Sequence, residues 1–369
     1  MVRIVFTADN HLNKYYAKMT PDQLARRRQR IREAWARTVD FAIEQKCDLY
    51  LHGGDLFDMP DPRTSELVWV ARQFQRLREA GVEVCAIGGT HDIPKMGSQG
   101  ATPQRIYEEV RVAHVFTKTR EVEFIPFEFD SVTVAVGGLP PDPRLGPGDD
   151  PFEGVTITPP QADIVLLLAH YGVEGTIYPG ANEPILSKAS IAALEGIDCL
   201  LVGHVHRKQK MKVGELTVLF PGPTERMTFG ERDEATGFLY LRFSGKERIR
   251  MRSRHVELEP QRMDRIEIRA TDIPAEDPTG YVLDRVREAS DPDLLLQCRL
   301  VGPLSRHLYH DLRFFDIWRM GNEVNFFFDL DRAGVYLQDE INPEVEFGGE
   351  RVSPRQEIEK VAKALAAEA

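Results

Sequence analysis

Five short segments of this 369-residue sequence carry metal-binding side chains, and each closes an apolar run. They are Asp9-Asn10-His11 after "VRIVFTA", Gly54-Asp55 after "LYLH", Gly89-Thr90-His91-Asp92 after "VCAI", His170 after "IVLLLA", and Gly203-His204-Val205-His206 after "CLLV". Carboxylates and neutral imidazoles together, with no cysteine among them, suit Mn(II), Fe(II) or Zn(II) rather than calcium or a structural zinc. The set is large enough for two ions, with Asp55 able to bridge through its two oxygens. Two ions about 3.5–4 Å apart can activate a shared hydroxide and neutralise both the attacking and the leaving oxygen of a phosphate ester. Singly, four of the segments have a bland alternative: a turn aspartate and surface histidine at 9–11, a helix cap at Asp55, a core histidine at 170, a polar loop at 91–92; the alternating His204 and His206 after "CLLVG" have little structural reason to exist. Five such coincidences in one chain favour a shared site.

Those residues need elements that bring them together. Strand "VRIVFTAD", a helix over residues 21 to 45 opened by Pro21 and Asp22, strand "CDLYLHGGD", a helix over 64 to 80 and strand "VEVCAIGG" alternate. In the first helix Leu24, Ile31, Trp35, Val39 and Ile43 recur near helical period. A hairpin at 121–138, a surface loop from Pro140 to Pro160, and buried strands at 163–170 and 198–206 follow, then strands at 208–213, 216–220, 237–243 and 247–257. This rhythm predicts an α/β fold of layered sheets covered by helices, with the five segments converging on one edge. Near residue 260 the pattern changes. "RIEIRATDIP", a helix near 279–290, "LLLQCRLVGPL", a helix near 305–312 and "EVNFFFDLD" predict a small α+β unit. The tail from Ser353, with Pro354 at its first helical position, predicts a short helix. The expected units are 1–260, 261–345 and 346–369.

Composition restricts the class. Hydrophobic residues form 42% and charged residues 28%, which is globular rather than disordered. Cys47, Cys85, Cys199 and Cys298 lack paired spacing, so they read as buried reduced thiols, not a zinc knuckle or a disulfide frame. The start "MVRIVFTADNH" enters a strand directly and no apolar stretch spans a bilayer, so a cytoplasmic protein with no membrane partner is expected. The net charge of −11 argues against polyanion binding over the whole surface; any nucleic-acid site must be patchy.

The order "DNH", "GD", "GTHD", "AHYG", "GHVH" resembles the calcineurin-like metallophosphoesterase superfamily, and "GGDLFD", "PGPTERMTFGE" and "LVGPLSRH" resemble the SbcD-type DNA-repair exonucleases. The resemblance spans roughly residues 1 to 345 and implies a layered β-sandwich flanked by helices, with a small C-terminal α+β capping domain. It puts one ion, Mn(II) by first expectation, on Asp9, His11, Asp55 and His206. The second lies on Asp55, residue 90, His170 and His204. His91 would stand beside the scissile phosphate, with Asp92 orienting its ring. Where the family has asparagine this chain has Thr90, a shorter and poorer oxygen donor. An SbcC-type ATPase partner and a homodimer are also implied.

A DNA nuclease of break repair needs cations and rings. "KERIRMRSR" would show Lys246, Arg248, Arg250, Arg252 and Arg254 on one face of a strand, either for phosphate contact or as protection of an exposed edge. Lys14, Tyr15 and Tyr16 follow the first ligand pair and could touch nucleic acid by charge and stacking, or simply pack. Competing readings are a phosphoesterase for a small or protein substrate, and a catalytically weakened subunit that binds DNA or a partner.

Overall fold

The first apolar run forms β1 (Val2–Thr7), buried along nearly its whole length, and a strand so buried must lie inside a sheet. The computed structural model describes residues 1–94, 102–177, 181–245 and 250–338. Along the chain β1 is followed by α1 (Pro21–Glu44), β2 (Leu49–His52), α2 (Thr64–Glu79), β3 (Glu83–Ile87), α3 (Arg105–Glu109) and β4 (His114–Phe116). Next come β5 (Glu121–Phe129), β6 (Val132–Leu139), β7 (Thr156–Ile157), β8 (Ile164–His170), β9 (Gly172–Val173), β10 (Ile185–Leu186), α4 (Lys188–Ala192) and β11 (Cys199–Gly203). Then β12 (Gln209–Val213), β13 (Leu216–Phe220), β14 (Gly237–Ser244) and β15 (Arg250–Glu257) complete the large unit.

Two large sheets run β15-β14-β1-β2-β3-β4 and β12-β13-β11-β8-β6-β5-β7, and β9 and β10 pair as a small two-stranded ribbon. Between them Ile4, Phe6, Leu51 and Ile87 meet Val136, Leu166, Leu168 and Leu201 in a dry layer. Ile31, Trp35 and Val39 of α1 and Phe74 of α2 cover the outer face of the first sheet. The expected layered sandwich flanked by helices is therefore present. β1, β2 and β3 are parallel, as are β8 and β11, so all five carboxyl ends reach one rim.

The remainder forms a third large sheet, β16-β17-β18, from β16 (Met263–Arg269), β17 (Leu295–Ser305) and β18 (Phe327–Gln338), with α5 (Pro278–Ala289), α6 (Arg306–Asp311) and α7 (Phe314–Val324) packed on it. It is tied to the start of α1. Gln23 donates to the Phe326 carbonyl at 2.7 Å and Lys18 pairs with Asp329 at 2.6 Å. Arg27 is fully buried, paired with Glu225 at 3.1 Å and donating to Gln261 at 3.1 Å.

Several details differ from the sequence reading. The cap of α1 is Thr20, in a reciprocal box with Gln23. β11 stops at Gly203, because His204 turns into a left-handed conformation. Pro140 to Asp142 are buried rather than on the surface, since Asp142 anchors Arg120 and Arg144. α7 was not anticipated; its Gly321 lies where a Cβ would strike the Phe328 ring. The tail helix from Ser353 lies outside the described residues. All four cysteines are free and buried. Among the described residues no helix is long and apolar enough to cross a membrane.

Removing one partner of a fully buried ion pair strands the other charge. Glu225→Ala should therefore cost about 3–5 kcal/mol in urea unfolding. Arg30→Ala, which breaks the part-exposed pair with Asp293, should cost less than about 1 kcal/mol. Equal losses would contradict this ranking.

Candidate metal centre

The backbone at the rim is held open in an unusual way. Asp9, His11, Asp55 and His204 have φ of 56°, 47°, 52° and 85°, left-handed values that cost non-glycine residues on the order of 1–3 kcal/mol each. The loops after β1 and β2 zip together to sustain them: Asp9 donates to the Gly54 carbonyl at 3.0 Å, and Asn10 and His11 both donate to the Asp55 carbonyl at 2.9 and 3.0 Å. Beneath them Asn10 is clamped by His52 at 2.6 Å and donates to Thr224 at 2.9 Å. Burial drives the His52 pKa down to about 3, so this imidazole is a neutral strut. Glycine is required opposite Asp55, because a Cβ at Gly89 would run into its carboxylate.

The side chains converge. Asp9, His11 and His206 can offer ligand atoms all within 4.8 Å of one another, and so can Asp9, Asp55 and His170. Asp55 Oδ2 lies 3.2 Å from His170 Nε2 and 3.8 Å from His11 Nε2, while its Oδ1 accepts the His91 amide at 2.8 Å. Asp9 Oδ1 accepts the His204 amide at 2.9 Å.

Three imidazoles are oriented by a second acceptor, the usual way of fixing the nitrogen offered to a metal. His170 Nδ1 donates to the Gly53 carbonyl at 2.7 Å, His206 Nδ1 to Glu231 at 3.1 Å, and His204 Nε2 to Glu183 at 2.8 Å. His206 then turns Nε2 on His11 Nε2, 3.0 Å away, and His204 keeps only Nδ1 for a ligand. His11 Nδ1 stands 3.3 Å from Asp58, which also pairs with Lys14 at 2.7 Å.

These residues fit a pair of divalent cations. Asp9 Oδ2 is buried with no hydrogen-bond partner, and His170 Nε2 faces only the Asp55 carboxylate at 3.2 Å, an arrangement that a bound cation satisfies. The acids also hold positive charge: burial opposes protonation of His170, yet Asp55 and Asp9 push its pKa up to about 9. Mixed carboxylate and imidazole donors are the kind that suit first-row divalent metals rather than calcium.

Other expectations divide. Thr90 is exposed at the rim, its hydroxyl 3.5 Å from Asp55 Oδ2. With His170 and His204 it borders a cleft of about 450 Å³. His91 is half-exposed, its ring edge-on to His11 at 4.7 Å, and its Nδ1 donates to the Asp58 carbonyl at 3.1 Å.

Asp92 does not orient that ring. Fully buried, it accepts the amides of Leu56, Phe57 and Gly89 at 3.0, 2.8 and 3.0 Å, so it staples the loops after β2 and β3. Burial and the neighbouring Asp55 charge push its pKa up to about 7.

Of the expected nucleic-acid contacts, Tyr15 is exposed, but Lys14 is spent on Asp58 and Tyr16 packs between Met227 and Arg27. Tyr16 is therefore a packing residue, not a free stacking platform. Arg250 and Arg252 are exposed on β15, where pairing with Ser244 and Arg242 sets them beside the start of β1, away from the rim; Arg248 lies outside the described residues.

Asp58, Glu183, Glu231, Asn10 and His52 were not anticipated as site residues. Asp58 ends "GGDLFD" and Glu231 ends "PGPTERMTFGE", so those two had a signal; Glu183 sits in an irregular loop with none.

The sequence profile of the calcineurin-like phosphoesterase family matches residues 2–208. Proteins named DNA double-strand break repair protein Mre11 are similar to the chain. That of Methanopyrus kandleri is 29% identical over 64% of this chain and 51% of its own length, and that of Saccharolobus solfataricus 25% over 59% and 53%. The Haloferax volcanii protein is 26% identical over 82% of this chain and 62% of its own. The chain thus spans between about half and three-fifths of these relatives.

Glu231→Gln should weaken Mn(II) binding by about 10–100-fold at one site in calorimetric titration, as loss of an orienting carboxylate does elsewhere. An unchanged isotherm would show that the Glu231 contact is incidental.

Proposed function

Because the chain belongs to the calcineurin-like phosphoesterase family, we propose that it is a metal-dependent DNA nuclease of double-strand-break repair. The observation that carries this reading is the meeting of Asp9, His11, Asp55, His170 and His206 at the carboxyl rim of two sheets, together with relatives named for break repair. Asp9, His11, Asp55 and His206 would hold one divalent ion; Asp55, His170, His204 and the residue-90 position would hold the second. Mn(II) is the expected metal. When bound, such a pair supplies Lewis acidity toward a phosphodiester and a water at neutral pH.

The chain's own residues do the rest. His91, with Nδ1 fixed on the Asp58 carbonyl, presents Nε2 to a bound phosphate and can donate a proton to the departing oxygen. Asp58 braces His11 and Lys14 on the same side. Asp92 keeps the His91 loop in place through three backbone amides and touches no reacting atom. Thr90 offers a hydroxyl where an amide carbonyl would be a better donor, so the second ion should be the weaker.

The third sheet, within residues 261–345, is read as a capping unit beside a nuclease unit of 1–260. Its ties to Lys18 and Gln23, on the segment that follows His11, support that reading. An SbcC-type ATPase partner and a homodimer are proposed on the resemblance alone.

Labelled linear DNA and a chromogenic phosphodiester, each with and without Mn(II), test the reading. Metal-dependent cleavage of both is expected; cleavage of the small ester alone would favour a small-substrate enzyme, and cleavage of neither would leave a binding subunit. His91→Ala should lower turnover at least about 100-fold with metal binding retained; undiminished turnover would remove its role. Thr90→Asn should raise occupancy of the weaker site in a Mn(II) titration, and an unchanged titration would contradict the assignment of that position.

A further inference from the structure

The amino-terminal end of the first sheet, away from the metal centre, carries a concentration of arginines. In the antiparallel register Arg3 lies opposite Arg242, and Arg242 opposite Arg252. Along β15, Arg250, Arg252 and Arg254 alternate on the same side, each exposed, as is Arg242. Arg254 lies over the rings of Phe41 and Tyr240 at 5.9 and 5.6 Å, and Arg242 over Tyr240 at 5.8 Å. Arg3 instead closes the end of α1, donating to the carbonyls of Gln45 and Lys46 at 3.2 Å each. Among the described residues no acidic side chain pairs with Arg242, Arg250, Arg252 or Arg254.

Like charges directly opposite across strands destabilise a sheet. Protection of an exposed edge explains arginines on β15, but not Arg242 on β14, which has strands on both sides. Nor is a cationic background responsible, since the chain as a whole carries −11. The spacing is regular, about 6.6 Å between alternate residues of β15 and about 4.8 Å between strands. Planar guanidiniums at this spacing, two of them (Arg242 and Arg254) steadied on aromatic rings, suit a polymer with one phosphate per unit, because each guanidinium can bind phosphate in bidentate fashion. Arg242 pairs with Arg3, six residues before Asp9, which puts this face roughly 20 Å along β1 from the metal centre.

We propose that Arg242, Arg250, Arg252 and Arg254 form a second nucleic-acid surface, which holds the sugar-phosphate backbone of duplex DNA without reading its sequence. The proposal rests on DNA as the polymer the protein works on, and it assigns a segment of that DNA distinct from the one at the metals.

The test measures binding of a labelled duplex to the full chain in EDTA across a salt series, for the wild type and for Arg242→Gln/Arg252→Gln, with thermal melts confirming that the variant is folded. The variant should bind at least about tenfold more weakly, and its slope of log affinity against log salt should be shallower by about two. Its Mn(II)-dependent hydrolysis of a small chromogenic ester should be unchanged. Equal affinity and slope, or no duplex binding by the wild type, would overturn the proposal. Poly-glutamate that displaces the duplex as well as unlabelled DNA does, per unit charge, would also overturn it and assign the face to an acidic protein. Binding lost in the variant with no DNA cleavage by the wild type would sink the nuclease reading and leave this surface standing.

Discussion

Three other segments of the chain meet on the carboxylate of Asp55. Its oxygens face His170 and His11 and accept the His91 amide, while its own carbonyl takes the amides of Asn10 and His11. Left-handed backbone at Asp9, His11 and Asp55 and the bare Cα of Gly89 are what allow this approach. A buried carboxylate is expensive unless it is compensated. Asp9, Asp55 and Asp92 are all buried together, so the folded state gains from positive charge there. Cations that bind the folded chain alone stabilise it by mass action, which couples the fold to the chemistry.

The imidazoles depend on that constraint through a further layer of acceptors. Glu231, Glu183 and the Gly53 carbonyl fix which nitrogen His206, His204 and His170 can offer. They come from a loop before β14, a loop before β10 and the end of β2. The ligands sit on rigid strand ends, whereas their orienting partners are borrowed from connections. The neutral His52 and Asn10 lie one step deeper, joining the β1 loop to Thr224. The candidate centre is thus assembled from both sheets, and a change in one of these loops reaches the converging carboxylates and imidazoles without touching them.

Much of this was legible in the sequence because parallel strands force it. Apolar runs that end in Asp, His or Gly-His mark carboxyl ends, and a sandwich of parallel strands puts those ends on one rim. What escaped was contact between segments distant in sequence. Asp92 looks like the partner of its neighbour His91, yet successive residues in a turn point apart, and its carboxylate found three amides instead. Tyr16 was ambiguous because nothing local says that Met227 and Arg27 enclose it. Glu183 carries no motif. α7 was missed because its helical period begins directly after α6, where Leu312 leaves the helix and Arg313 leads into the next. The alternation that exposed the β15 arginines was visible, but their alignment with Arg242 is a property of register.

The central claim is that Asp55 joins two cation sites. Electron paramagnetic resonance of the Mn(II)-loaded protein measures this directly. The account predicts two ions per chain with an exchange-coupled spectrum that collapses to an uncoupled single-ion signal in Asp55→Asn. An uncoupled spectrum at full loading of the unaltered chain, or coupling that survives the substitution, would contradict it.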